Sequence, residues 1–318
     1  MKGNNTIRCS IKQIWETACL QISLITVPTH KLSLSIKNTA FSLICSILIV
    51  VPFTRANAQQ LPENQLISYL ESLAKSDGGY GWEDQPDSHL TPAFAVVGTL
   101  YNLGRLPGNK EGLIEFIRTH HPQKGPNKEA GPSGTELRNL VYQQIQGILW
   151  LGGDPSSFGT EVLAWKSQAG KLANYEKKGY PVLMQELMTP ICRGLLNLPS
   201  SDVKLEFESL LNSRKRENGS YNNAPSAEGG DGNILNTWWS LYALHQSGSF
   251  NQASPAVVAW INKCQLGNGG FTHQPEPEIG RNDEVAYTWA AVKSLDLFSA
   301  KPQDSMACIQ YLLSLRNS

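Results

Sequence analysis

Few side chains in this sequence combine the type and spacing that chemistry demands. Arg281, Asp283 and Glu284 fall within four positions of one another. An arginine beside carboxylates can hold a polar group through paired, charge-assisted hydrogen bonds, although Asp283 would serve equally as a helix N-cap. His89 follows Asp87 by two residues and leads into an apolar stretch. An imidazole there could move a proton near neutral pH, or simply sit at the surface as a capping residue. His89, Arg281 and Asp283 are therefore the candidate catalytic residues. Trp238, Trp239 and Tyr242 crowd one segment, and Tyr287 and Trp289 crowd another. On a concave wall such rings suit isoprenoid chains, carbocations or sugars; between helices they are packing. Asp231, in the run EGGDG, is a lone carboxylate and reads as a turn residue rather than a cation site.

Lysine plus arginine equals aspartate plus glutamate at 27 each. That balance lacks the cationic surplus a nucleic-acid partner requires. The short basic run Arg214-Lys215-Arg216, followed by Glu217, reads as a solvated helix end. The six cysteines include Cys192, Cys264 and Cys308 in the larger C-terminal part, with no CxxC spacing. Each lies in an apolar stretch and reads as a small buried side chain; whether any two of them pair is left open. No cofactor and no metal site is implied.

What positions these residues is a repeat of about 47 to 51 residues. Three segments share an amphipathic helix, a Gly-aromatic turn, a polar loop and a second helix led by threonine. Leu66, Tyr69, Leu70 and Leu73 recur at i, i+3, i+4 and i+7, one face of a helix. Asp77-Gly78-Gly79-Tyr80 and a helix from Thr91 follow. The second copy runs through residues 205–211, Asn218-Gly219-Ser220-Tyr221 and a helix from Thr237; the third through 257–264, Asn268-Gly269-Gly270-Phe271 and a helix over 287–295. Tyr80 to Tyr221 is 141 positions, leaving room for two worn copies: helices over 113–119 and from Thr135, then over 160–173 and from Thr189. A final helix over 305–315 turns Ile309, Leu312 and Leu313 to one face. Gly104, Gly152 and Gly248 stand where second helices should stop. A helix pair of this size cannot bury both faces alone, so residues 59–318 read as one cooperative all-α domain.

Residues 41–51 (FSLICSILIVV) form an apolar run preceded by Lys31 and Lys37 and followed by Ala56-Asn57-Ala58. Charged flank, short apolar core and small-x-small exit describe a secretory signal. Arg55 ends the run well short of the about 20 residues a membrane span needs. The expectation is an N-terminal extension and signal over 1–58, cleavage near Ala58 and an exported (periplasmic or secreted) protein without a membrane span.

The stretches Asp77-Gly78-Gly79-Tyr80-Gly81, Asn218-Gly219-Ser220-Tyr221 and Gln265-Leu266-Gly267-Asn268-Gly269-Gly270-Phe271, with their helices, resemble the prenyltransferase and squalene-cyclase repeat family. The resemblance covers residues 62–318, strongly in the first, fourth and fifth units. It implies an α/α toroid of five to six helix pairs, incompletely closed if the sixth lacks its second helix. It also implies an apolar central cavity, with some of Trp238, Trp239, Tyr242, Tyr287 and Trp289 facing it. The family's reaction motifs are missing. Where its protein prenyltransferases carry an Asp-x-Cys zinc pair, this sequence has Asp283 and then Val285, and a catalytic zinc site needs three protein ligands. The Asp-x-Asp-Asp acid of the cyclases is absent too; the nearest acidic groups are Glu83-Asp84 with Asp87, and Asp283-Glu284.

Three functions remain open. The first is an exported toroid that binds an apolar or oligomeric ligand, or a partner, in its central cavity. The second is a divergent transferase or cyclase acting on an isoprenoid. The third is a polysaccharide lyase or hydrolase, for which Arg281 and its carboxylates are the hint.

Overall fold

The computed structural model describes residues 63–120, 134–165, 183–252, 254–275 and 284–315. Three turns in it share one hydrogen-bond design. Asp77, Asn218 and Asn268 each accept, on a side-chain oxygen, the N–H two residues on: Gly79 at 3.2 Å, Ser220 at 3.0 Å and Gly270 at 3.1 Å. The glycine between lies at positive φ, at 89° in Gly78, 83° in Gly219 and 91° in Gly269. Other residues enter that region at a cost. The next ring, Tyr80, Tyr221 or Phe271, forms an antiparallel bridge back to Ala74, Lys215 or Gln265 and is buried. Its carbonyl then accepts the N–H of the residue that opens the following helix: His89, Asn233 or Glu284.

These turns join outer helices to inner ones. The helices are α1 (Glu63–Ser72), α2 (Leu90–Asn102), α3 (Lys110–Thr119), α4 (Gly134–Trp150), α5 (Gly159–Ala164), α6 (Leu183–Leu195), α7 (Ser201–Arg214), α8 (Ile234–Gln246), α9 (Pro255–Lys263), α10 (Val285–Leu297) and α11 (Ser305–Ser314). The even-numbered helices pack in series, α2 on α4, α4 on α6, α6 on α8 and α8 on α10. Outer helices lie against them, α3 on α4, α5 and α7 on α6, and α9 on α10. Because an outer helix returns the chain each time, all inner helices run the same way. Burial follows the layers: α2 buries ten of its thirteen residues, whereas α3 buries Leu113 and Ile117.

The inner row curves. Tyr142 of α4 meets Trp239 of α8 edge to face at 5.7 Å, and Tyr242 Oη donates to Gln146 Oε1 at 3.0 Å. Helices two steps apart in a straight stack could not touch, so these contacts define a ring. Its ends, α2 and α10, do not pack on each other as neighbours in the series do.

Threonine has a stated job in two units. Thr237 Oγ1 accepts the buried N–H of Tyr221 at 3.0 Å and donates to Asn233 O; Thr288 Oγ1 does the same for Phe271 (2.9 Å) and Glu284 O. Replacing Thr237 by valine keeps the shape and strands the Tyr221 N–H. The variant is expected to lose about 1–3 kcal/mol, measured by urea unfolding; no loss would remove this role.

Several expectations need correction. Thr91 is not the counterpart of Thr237. Counted from the helix-opening residue, that position is Ala93, because the loop before α2 is shorter; Thr91 instead donates to Gln143 Oε1. The helix expected over 160–173 ends at Ala164, with Trp165 extended and residues 166–182 outside the described set. Gly104, Gly152 and Gly248 do close inner helices at positive φ, but Asn197 and Ser299 take the same conformation after α6 and α10. Arg214 and Arg216 are buried rather than solvated. Arg216 donates to the carbonyls of Arg214, Ala224, Gly229 and Gly230 and so clamps the loop before α8. On α11, Ile309 and Leu312 are exposed with Met306, while Cys308 and Tyr311 face the core. Among the described residues no inner helix follows α11 to cover that side. Cys192, Cys264 and Cys308 are free and buried.

The aromatic interior of the ring as candidate functional site

Interior positions follow from counting along each inner helix. The fifth residue after the helix-opening one is Phe94 in α2, Trp238 in α8 and Trp289 in α10. Tyr142 of α4 stands 48 positions after Phe94 and 96 before Trp238, so it holds the same register. One turn further lie Gly98, Gln146, Tyr242 and Lys293. The repeat thus supplies a layer of rings and, beside it, a layer of mixed character.

The rings touch. Trp238 stacks on Tyr242 at 5.1 Å with 14° between planes, and stands edge-on to Trp289 at 5.4 Å. Trp239 lies 6.3 Å from Trp289 and 6.4 Å from Tyr242. Across the ring it meets Tyr142, which is followed by Phe94 at 5.9 Å and then Trp150. Trp238 is buried, while Trp239, Tyr242 and Trp289 are half-buried. Of the five aromatic residues from which some were expected to face the cavity, four belong to this cluster. Tyr287 does not; it packs against His273 at 5.7 Å.

Polar groups border the rings. Burial pushes the phenols of Tyr142 and Tyr242 well above the usual range, so both stay neutral. Arg138, buried, donates to Thr189 Oγ1 at 3.3 Å and lies 5.5 Å over the Trp165 ring. Burial pulls its pKa down, and the nearby Glu186 acts the other way. Trp238 Nε1 and Trp289 Nε1 are sealed from solvent without a hydrogen-bond partner among the described residues.

The acid–base candidates fare differently. His89 opens α2 in extended backbone, makes no side-chain cap and is half-buried. Arg281 and Asp283 lie outside the described residues. The residue that opens α10 is Glu284, which is exposed and makes no side-chain cap. Asp231 is a structural acceptor, taking hydrogen bonds from Asn218 Nδ2, the Gly232 N–H and Trp260 Nε1. Among the described residues no three His, Cys, Asp or Glu side chains stand close enough to hold a metal ion. Sequence reasoning passed over Phe94, Tyr142, Gln146 and Lys293. The 48-residue step from Phe94 to Tyr142 was the signal for the first two.

A ring of parallel inner helices, an outer layer and an aromatic interior define an α/α toroid. A model of the prenyltransferase alpha-alpha toroid domain matches residues 37–134 and 201–318, and the chain belongs to that family. No curated protein matches the chain.

Proposed function

We propose that the ring interior binds an apolar ligand outside the cytoplasm, without the zinc or acidic-motif chemistry of the family. The observation that carries this reading is the contiguous wall of Trp238, Trp239, Tyr242 and Trp289, with Tyr142 opposite. Such walls bind through area and ring faces rather than through charge. Val285, where the zinc enzymes of the family carry a cysteine, supplies no metal ligand. Binding of isoprenoid alcohols, followed by tryptophan fluorescence and thermal shift, tests the reading. Trp239→Ala is expected to weaken binding by roughly 10-fold or more, as loss of a central aromatic contact does. A thermal shift with oligosaccharides and none with any isoprenoid would overturn the apolar choice.

The extent of the mature domain can be tested separately. Among the described residues no helix is long and apolar enough to cross a membrane. With residues 1–58 as extension and signal, the exported protein starts at Gln59. The family match, however, begins at residue 37, ahead of the apolar run, which supports a competing reading in which that stretch is kept as part of the domain. Amino-terminal sequencing of protein recovered outside the cytoplasm decides between them; a start upstream of residue 41 would sink the signal. Family membership is also what favours the second function, a transferase or cyclase acting on an isoprenoid. Product formation from prenyl diphosphates would establish it.

A further inference from the structure

Lys293 is the one charged residue in the layer that Gly98, Gln146 and Tyr242 share. Tyr242 reaches Gln146 across the ring from this register, so the position serves the interior. Lys293 is 3% exposed, and it lies one helical turn beyond Trp289, on the same side of α10. Its amine makes no hydrogen bond or ion pair with the described residues, yet it is not among the polar atoms fully sealed from solvent. Trp238 Nε1, Trp289 Nε1 and, next to Lys293 in sequence, Ser294 Oγ are sealed from solvent and lack partners among the described residues. In an edge-on pair only one indole can aim its N–H at the other's face, so at least one of the two remains a free donor.

We propose that Lys293 is a carbonyl-capturing residue: an apolar aldehyde or ketone held against Trp289 forms a reversible imine with its Nζ. This rests on the interior being an apolar ligand site. The amine lone pair attacks the carbonyl carbon, the oxygen takes up a proton, and the carbinolamine expels water to leave the C=N bond. Carbonyl and amine supply every atom, and no oxidant or reductant takes part. Two features of the site favour the reaction. The burial that strips water from the ammonium brings its pKa down to about 8, with Asp296 opposing weakly, so a useful fraction is neutral and nucleophilic at pH 7. Half-buried Trp289, one helical turn from the amine, offers a ring face to an otherwise apolar guest.

Incubation of the purified chain with trans-cinnamaldehyde and sodium cyanoborohydride at pH 7, followed by peptide mass mapping, tests this. The adduct is expected on Lys293 roughly 10- to 100-fold faster than on an exposed lysine, whose amine is almost wholly protonated at that pH. Lys293→Arg keeps a cation but cannot form the imine, and should lose the fast adduct. Labelling spread over Lys75, Lys204, Lys215, Lys263 and Lys301, with Lys293 unmodified, overturns the proposal; the wild-type map decides this even if the variant misfolds. Cinnamyl alcohol separates the two readings. If the alcohol quenches tryptophan fluorescence while the aldehyde is not fixed on Lys293, the imine is wrong and the apolar site stands. If neither binds, both fall.

Discussion

Lys293→Met is expected to make the protein more stable at pH 7, by about 3 kcal/mol. The lysine amine has a pKa of about 8 in the fold against 10.5 in the unfolded chain. Every tenfold loss of proton affinity on folding is worth about 1.4 kcal/mol of preference for the neutral form. Below pH 8 both states carry the proton, and the folded state bears the full cost of burying it. Between pH 8 and 10.5 the folded protein has released the proton while the unfolded chain still holds it, so stability climbs with pH; above 10.5 it levels off. Methionine has a similar length, suits the apolar surroundings and carries no charge. Urea unfolding of both proteins at pH 7 and pH 10 gives the answer: a large gap at pH 7 that closes at pH 10. A variant less stable than wild type at pH 7, or a gap independent of pH, would show that the ammonium is not desolvated. A residue that costs stability and remains in place is what a working side chain looks like.

Gly269→Ala is expected to destabilise by about 3 kcal/mol. The residue sits at φ 91°, where a Cβ costs about 1–2 kcal/mol. That Cβ would also lie inside van der Waals contact with the Ala307 carbonyl, at the start of α11, and backbone cannot swing aside as a flexible side chain can. Overpacking of this kind adds about 1–3 kcal/mol. For a domain of this size the melting temperature should fall by about 8 °C. Gly267, two residues earlier, has open space where its Cβ would go and no positive φ. Gly267→Ala is therefore the control, with a change within about 0.5 kcal/mol. Equal effects at both positions would mean that the contact with α11 contributes nothing. Gly219 meets the Val257 side chain of α9 less tightly, and Gly78 lies in ordinary contact with Asn109 and Gly112 at α3, so each glycine is where one unit seats the next.

Much of this was legible because the repeat writes its geometry locally. The Asp/Asn-Gly pair names the turn, and the hydrogen bonds at Asp77, Asn218 and Asn268 realise it without help from distant residues. The helices and the stops at Gly104, Gly152 and Gly248 follow from apolar period and conformational freedom. What stayed hidden depends on curvature. Tyr142 meets Trp239 because α4 and α8 face each other over a bend that no single unit specifies. Arg216 reads as a surface charge until the loop it clamps is seen to fold over it. The exposure of Ile309 depends on what packs on α11, which its own helix period cannot reveal. Tyr287 and Trp289, by contrast, are separated by the helix period itself, which sets residues two apart on different faces: one meets His273 and the other joins the tryptophan cluster.

The common direction of α2, α4, α6, α8 and α10 gives the inner row two unlike rims, helix starts at one and helix ends at the other. Each helix behaves as though about half an elementary charge, positive, sat at its start and the opposite at its finish. In water those partial charges fade within a turn, and the outer helices, which run back the other way, offset most of them at a distance. A chain whose formal charges cancel, 27 against 27, therefore carries this polarity at the two rims of the inner row. A guest entering with an electron-rich head would meet backbone N–H groups at one rim and carbonyls at the other.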